Sequence, residues 1–110
     1  MKGLIIKSPY IEQILSGVKK WEIRGSNTSI RGKICLIKSG TKRIYGEVNL
    51  VDSFEINLEK YNKYHKELYG CVCDKLPYKR TYAWVVKEPC LYKDPLNYNH
   101  PRGAIIWVNL

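Results

Sequence analysis

Three charged side chains of different chemistry lie within six residues, in the stretch GVKKWEIRG at 17–25. Arg24 carries a fixed fork of donors that suits a phosphate, a carboxylate or the edge of a base. Glu22 can accept a hydrogen bond from an exocyclic amine or serve as a general base. Lys19, if partly desolvated beside an arginine, is suited to hold a catalytic proton or to stabilise an oxyanion. Together these residues suit the binding of a polar ligand or the hydrolysis of an acyl amide.

The spacing of the three residues limits how they can share a site. Glu22 and Arg24 are two residues apart, so their side chains lie on the same face of a strand. Lys19 and Glu22 are three apart and point to opposite faces of a regular strand, so they meet only if Lys19 lies in the turn after Gly17. The alternative is a Glu22–Arg24 pair on a solvated surface, which contributes well under ~1 kcal/mol to stability.

An amphipathic helix is predicted immediately before this stretch. Ser8 and Pro9 form a helix start, with Ser8 as N-cap and Pro9 at the first helical position. Gly17 is placed to end the helix with a positive φ angle. The apolar residues of the helix recur at helical spacing and form one stripe: Ile11, Ile14, Leu15 and Val18. The charged residues therefore follow a helix C-terminus and run into a strand over 19–24.

The other elements are short strands and one further helix. Strands are predicted over 3–7, 19–24, 33–38, 44–56, 81–92 and 104–110, the last of them buried. The fourth strand is expected to bulge near Gly46, and the fifth is interrupted at Pro89, so it is expected to lie at an edge or to bend there. Asn57 is expected to cap a helix over 58–68 whose inward stripe is Leu58, Tyr61, His65 and Leu68. This order predicts one α+β domain over 1–110, built around a strongly bent sheet or pseudo-barrel.

The motif Gly17-x-Lys19-x-x-Glu22-x-Arg24, set just after a capped helix, resembles the signature of the ASCH domain family. Three further stretches are similar to later strands of the family, in order along the chain: GEVNLVDS (46–53), YAWVVKEPCLY (82–92) and HPRGAIIWV (100–108). The resemblance implies a PUA-like mixed β-pseudobarrel of five to six short strands with two main helices. It also implies a cleft beside the first helix, where the lysine, glutamate and arginine converge.

The resemblance further implies binding of RNA or of a modified nucleoside or nucleotide. One branch of the family is a small amidohydrolase that removes the acyl group from N4-acetylcytidine, and other members are linked to RNA cleavage. In that branch a threonine implicated in catalysis lies three residues after the lysine, where this chain has Glu22. An acidic residue of the later helical region also takes part, and Glu59 and Glu67 are the candidates here.

The expected function is therefore an RNA- or nucleotide-binding domain whose charged ligand cleft lies at the end of the first helix. The alternative is a hydrolase of a modified nucleoside, or a ribonuclease, in which Lys19 and Glu22 are the catalytic residues. A protein-interaction adaptor forms a third class, and it would expose a broad apolar patch instead of a charged cleft.

The charge of the chain favours a polyanionic partner. Nineteen Lys and Arg against ten Asp and Glu give a net charge of +9, and nine Tyr and three Trp offer flat faces for stacking on bases. Five basic residues in two turns are expected to form a nucleic-acid rim: Lys38, Lys42, Arg43, Lys79 and Arg80. The tyrosines beside them are candidate stacking faces: Tyr45, Tyr78 and Tyr82.

A loop near the C-terminus supplies two more candidate ligand contacts, His100 and Arg102. The alternative for His100 is packing against Tyr98. The other histidine, His65, lies on the inward stripe of the second helix and is expected to be a hydrogen-bonded core residue. Neither histidine has a partner that the sequence makes visible, so no catalytic cysteine is predicted.

No metal or cofactor is expected. Cys71 and Cys73 are separated by one residue, which is tighter than the spacing of structural zinc ligands, so reduced thiols are predicted for them and for Cys90. The apolar runs are far shorter than the roughly 18 residues of a membrane span, and the N-terminus lacks the pattern of a signal peptide. We therefore expect a cytoplasmic monomer without membrane contact.

Overall fold

The computed structural model describes all residues, 1–110, of the chain. The strands are β1 (Lys2–Ile6), β2 (Trp21–Arg24), β3 (Gly32–Lys38), β4 (Arg43–Ile56), β5 (Thr81–Asn97) and β6 (Trp107–Asn109). The helices are α1 (Tyr10–Leu15) and α2 (Leu58–Tyr69). None of the helices is long and apolar enough to cross a membrane.

All six strands form one mixed sheet in the order β2-β5-β4-β3-β1-β6. The pair β1–β3 is parallel and every other neighbouring pair is antiparallel. The sheet is not closed into a barrel, since β2 and β6 are its two edges. The predicted α+β fold, with a bent mixed sheet of six strands and two helices, is confirmed.

The fourth strand has the predicted length to within one residue, whereas the fifth runs five residues beyond its predicted end. β4 has 14 residues and β5 has 17, and register shifts interrupt the pairing between them at three places. Such irregularities bend a pair of strands and increase its twist. The curl brings β2 close to β1, where Arg24 donates a hydrogen bond to the carbonyl oxygen of Ile5 at 2.8 Å. This contact links β2, one edge of the sheet, to β1, the neighbour of the other edge strand, beside the charged stretch.

The core lies between the concave face of the sheet and α1. Its main cluster has 12 buried residues, among them Leu4, Ile11, Ile14, Leu36 and Trp84. Trp84 of β5 also stacks on Trp107 of β6 with ring centroids 5.8 Å apart. The strand interiors therefore supply most of the core, and α1 covers it.

The first helix differs from the prediction at both ends. Pro9, not Ser8, occupies the N-cap position, no side chain caps the helix, and the Ser8–Pro9 peptide bond is cis. Gly17 has the predicted positive φ angle, at 87°. Val18 is 63% exposed and does not belong to the buried stripe, because the helix ends at Leu15 and the chain turns away from the core before Val18.

The predictions for the later elements also need correction. β5 continues through Pro89, but its register with β4 shifts there, since Asn49 pairs with Lys87 and Glu47 with Cys90. Pro89 lies at a free edge, because β2 pairs with β5 only up to Val85. The closing strand is only three residues long, and Ile105, predicted to be buried, is 79% exposed. The second helix is capped as predicted, with the main-chain N–H of Lys60 donating to Asn57 Oδ1 at 2.9 Å. None of its residues is fully buried, because its inner face borders a cavity instead of the core.

Candidate functional site

A cavity of about 660 Å³ lies between the charged stretch, the start of α1 and the inner face of α2. Its polar lining includes Lys7, Lys19, Glu22 and Arg24. Its aromatic lining consists of five tyrosines and one histidine: Tyr10, Tyr61, Tyr64, Tyr69, Tyr78 and His65. Glu22 is the only carboxylate in the wall. The cavity thus combines one buried acid, several cations and many flat rings.

Lys19 reaches this cavity because it precedes β2. Its main-chain N–H donates to the carbonyl oxygen of Gln13 at 3.0 Å, which holds it in the turn after α1. From there its side chain shares the cavity with Glu22, in spite of the three-residue spacing. The turn geometry that the sequence required for a shared site is therefore present.

The ammonium group of Lys19 opens onto the cavity and has no acceptor from the protein. The residue is 4% exposed, and its Nζ lies 5.6 Å from the ring centroid of Tyr10 and 5.4 Å from that of Tyr64. Burial lowers the pKa of Lys19, and the negative charge of Glu22 offsets part of this effect. Its three N–H donors remain available to a ligand.

Glu22 and Arg24 form a pair that is far less solvated than a surface ion pair. Arg24 Nε donates to Glu22 Oε2 at 3.0 Å, and a terminal nitrogen of the guanidinium lies 2.9 Å from the same oxygen. Glu22 is 6% exposed, and the guanidinium of Arg24 lies 5.6 Å above the ring of Trp84. Both contacts use Oε2, so Glu22 Oε1 has no donor from the protein, and Glu22 lines the cavity.

The tyrosines on α2 are held firmly. The hydroxyl of Tyr64 accepts from the main-chain N–H of Trp21 and donates to its carbonyl, both at 3.2 Å, and the two rings stack with centroids 4.8 Å apart. Burial raises the pKa of Tyr64 to about 12. The hydroxyl of Tyr69 donates to Gln13 Oε1 at 2.9 Å. The rings are thus fixed as neutral, flat walls.

Sequence reasoning missed most of this aromatic wall. Of the three candidate stacking tyrosines only Tyr78 lines the cavity, whereas Tyr82 is buried in the core and Tyr45 packs against it. The sequence feature that could have predicted part of the wall is the spacing of Tyr61, Tyr64 and Tyr69, which places them on one side of α2. Tyr10 and Tyr78 reach the cavity from other segments, and no pattern in the neighbouring sequence predicts this position for them.

His100 and Arg102 do not line the cavity. His100 Nδ1 lies 2.6 Å from the hydroxyl of Tyr98, and Nε2 lies 3.0 Å from the carbonyl oxygen of Ala104. Both ring nitrogens are therefore used within the loop, in line with the alternative of packing against Tyr98. Arg102 is exposed in the same loop.

The family model of the ASCH domain matches residues 4–95 of the chain. The protein belongs to the ASCH domain family. Three solved structures of an ASCH protein from Zymomonas mobilis have similar folds. One, a serine-to-alanine mutant, has a TM-score of 0.70 at 13% identity, covering 99% of this chain and 87% of that one. The corresponding structure without a named mutation has a TM-score of 0.70 at 12% identity, covering 99% and 86%.

The third structure, a tyrosine-to-phenylalanine mutant of the same protein, has a TM-score of 0.68 at 14% identity. It covers 87% of this chain and 74% of the other. These identities establish the shared fold. No curated protein sequence matches the chain.

The predicted rim residues of this ASCH domain lie outside the cavity wall: Lys38, Lys42, Arg43, Lys79 and Arg80. Their two turns nevertheless border the cavity, since Ser39 and Tyr78 line it. Two of the five have carboxylate partners: Lys38 pairs with Glu12 at 3.2 Å, and Arg80 with Glu55 at 2.8 Å. Lys42, Arg43 and Lys79 are exposed and form no ion pair.

The remaining candidates for acid or metal chemistry lie elsewhere. Glu59 and Glu67 lie on α2, and neither lines the cavity. No group of three or more His, Cys, Asp or Glu side chains is arranged to hold a metal ion. His65, predicted to be a core residue, is half-buried and lines the cavity instead. Any acid–base chemistry of the charged stretch therefore depends on Lys19 and Glu22.

Proposed function

We propose that this ASCH domain binds an RNA base or a nucleotide in the cavity formed around Lys19, Glu22 and Arg24. The observation that carries the proposal is Lys19, a residue that is only 4% exposed and whose ammonium has no acceptor from the protein and opens onto the cavity. A buried charge without a partner is costly, so it is typical of a site that a ligand completes.

The chemistry of the wall matches a heterocycle that carries both an acceptor and a donor. Lys19 offers charged N–H donors to a keto or phosphate oxygen. Glu22 Oε1 offers an acceptor to an amino or imino N–H. The rings of Tyr10, Tyr61 and Tyr78 offer faces for stacking, and about 660 Å³ falls within the usual range of ligand cavities.

The surface charge supports RNA as the larger ligand. The net charge is +9, and Lys42, Arg43 and Lys79 extend unpaired from turns that border the cavity. Such a rim attracts the phosphates that flank a bound base and makes binding depend on salt concentration. The cytoplasmic location and the monomeric state stay predictions from the sequence.

The test is a binding titration with a short single-stranded RNA and with nucleoside monophosphates, followed by the fluorescence of Trp21, which stacks on Tyr64. The variant Lys19→Met is compared with Lys20→Met, in which the neighbouring exposed lysine is changed. Loss of a hydrogen bond from a charged group costs about 1.5–3 kcal/mol, so Lys19→Met is expected to weaken binding about 10- to 100-fold.

Lys20→Met is expected to bind almost as wild type does. Equal binding by wild type and Lys19→Met, together with a steep dependence on salt, would assign the affinity to the basic surface and refute the cavity as the site. No binding of any of these ligands by the wild type would refute the proposed function as a whole.

The lowered pKa of Lys19 favours a second candidate, hydrolysis of a modified nucleoside or of RNA. A lysine that loses its proton more easily can transfer it to a leaving group, with Glu22 as the base that activates water. The chain lacks the threonine of the amidohydrolase branch, so a mechanism based on that hydroxyl does not apply. Incubation of wild type and Glu22→Ala with N4-acetylcytidine and with RNA oligomers, read by mass spectrometry, distinguishes turnover from binding alone.

A further inference from the structure

A thiol and an imidazole lie next to each other at the C-terminal end of α2. His65 Nδ1 lies 2.8 Å from the carbonyl oxygen of Cys71, and Nε2 lies 3.8 Å from Cys73 Sγ. A carbonyl oxygen can only accept a hydrogen bond, so Nδ1 carries the proton of the neutral ring. The lone pair of Nε2 therefore points to Cys73, which donates its S–H to it.

Both members of this pair are held in place. The side-chain amide of Asn62, three residues before His65 on α2, accepts from the main-chain N–H of Cys73 at 2.8 Å and donates to its carbonyl at 2.9 Å. The imidazole lies between two aromatic rings, with centroid distances of 5.4 Å to Tyr61 and 4.7 Å to Tyr69. A nucleophile, a base and a group that orients the base are thus present together, which is the arrangement of an activated nucleophile.

A second thiol stands close to the first. Cys71 is exposed, is separated from Cys73 by one residue, and has its Sγ 3.8 Å from His65 Nδ1. The segment that carries both thiols is neither helix nor strand, so side-chain rotation can bring one sulfur to the other. This proximity suits a resolving thiol.

We propose that Cys73 is a reactive thiol that reduces hydroperoxides, with His65 as its base and Cys71 as the resolving thiol. His65 Nε2 takes the proton of Cys73, and the sulfur attacks the terminal oxygen of the hydroperoxide. The O–O bond breaks, the leaving alkoxide or hydroxide takes the proton back from His65, and Cys73 is oxidised to a sulfenic acid.

The second step closes a disulfide. The sulfur of Cys71 attacks Cys73 Sγ, the S–O bond breaks, and hydroxide leaves with the proton of Cys71 as water. The dithiol loses two electrons and the hydroperoxide gains them. Because Cys71 and His65 both line the cavity, the disulfide also changes the wall of the ligand site, a consequence that rests on the proposed function.

The test follows the alkylation of each cysteine by iodoacetamide in the folded protein, with peptide mass spectrometry. Cys90, which is exposed and has no histidine contact, is the internal reference. A well-placed general base raises a reaction rate by about 10²–10⁴-fold. The distance from His65 Nε2 to Cys73 Sγ is 3.8 Å, so we expect a smaller effect, with Cys73 alkylated about tenfold faster than Cys90. Equal or slower labelling of Cys73, which is the less exposed of the two, would overturn the proposal.

The matched variant is His65→Asn, whose side-chain amide can still donate to the carbonyl of Cys71 but offers no base at the position of Nε2. The ratio of Cys73 to Cys90 labelling is expected to fall about tenfold, and an unchanged ratio would refute the role of His65. Labelling of the buried Cys35 reports on unfolding, so a disrupted variant is recognised.

Hydroperoxide added to the wild type in equal amount is expected to join Cys71 and Cys73 in an intramolecular disulfide. In Cys71→Ser the sulfenic acid of Cys73 should persist and be trapped by dimedone. A disulfide that involves Cys90, or no oxidation at either residue, would refute the dithiol. These results do not depend on any ligand of the cavity, so the proposed function and this inference fail separately.

Discussion

The substitution Lys19→Met is expected to stabilise the folded protein. The side chain is almost wholly buried, and its ammonium opens onto the cavity without a hydrogen-bond acceptor from the protein. Cation–π contacts with the rings of Tyr10 and Tyr64 stabilise the charged form of Lys19 by about 0.5–2 kcal/mol each. The lowered pKa indicates that desolvation outweighs the charge of Glu22, and we expect it to outweigh the cation–π contacts as well. Methionine keeps an unbranched apolar stem in the same space.

The expected gain in the free energy of unfolding is on the order of 1 kcal/mol at pH 7, which raises Tm by about 4 °C for a domain of this size. A binding site whose charge lowers the stability of the unliganded protein is a common trade-off between stability and function. The opposite result, a loss of more than about 1 kcal/mol, would mean that Lys19 mainly supports the fold and would remove the main argument for a ligand site.

The pH dependence of this gain has a definite sign. The pKa of Lys19 in the folded state lies below the 10.5 of a free lysine, so the unfolded chain holds the proton more tightly. The cost of the buried charge is therefore complete below the folded-state pKa and declines as the pH rises through that value towards 10.5. The difference in unfolding free energy between Lys19→Met and wild type should accordingly narrow between pH 7 and the alkaline range.

The assay is urea denaturation of wild type, Lys19→Met and Lys20→Met, followed by tryptophan fluorescence at several pH values. The difference in unfolding free energy between a variant and wild type is used at each pH, because the titration of the groups that both proteins contain cancels in it. Lys20 is exposed, so its variant should stay within about 0.5 kcal/mol of wild type. A difference for Lys19→Met that is the same at every pH would refute the desolvation argument.

Two further substitutions test the positions that shape the fold around the site. Asn57→Ala should cost about 1 kcal/mol, because it removes the acceptor for the main-chain N–H of Lys60, and Asn57→Ser should retain most of the stability. Gly46→Ala should cost about 1–3 kcal/mol, because the new Cβ would meet the carbonyl oxygen of Cys90 and lie 2.6 Å from Leu15 Cδ2. Both effects are measured as changes in the urea midpoint at an unchanged m-value. A variant with the midpoint of wild type would show that the contact named for it does not affect stability as expected.

The sequence was informative wherever the cause of a structure is local. Asn57 caps α2 because its own side chain reaches an N–H three residues ahead, and Gly17 turns the chain because it lacks a Cβ. The spacing of Lys19, Glu22 and Arg24 also predicted that the three residues could share a site only if Lys19 lay in a turn before the strand. That condition depends on a few neighbouring residues, and the turn is present.

Local signals failed for features that depend on how distant segments meet. The length of β5 follows from its pairing with β4, which continues past Pro89 after a register shift. His100 stood out as a loop histidine, but Tyr98 and the carbonyl of Ala104 occupy both its nitrogens. The composition of a loop does not reveal which of its polar groups the loop itself will satisfy.

The sequence by itself determined the family, the α+β class and three charged residues of the candidate site. Only the tertiary structure decided what surrounds them: the aromatic wall drawn from α1, α2 and the loop of Tyr78, and the pairing of His65 with Cys73. The aromatic wall lies beside the place where β2 comes close to β1, and the pairing of His65 with Cys73 depends on how the loop after α2 folds back on the helix. Periodicity along the chain records which face of an element is apolar, but it carries no information about the partner that this face will meet.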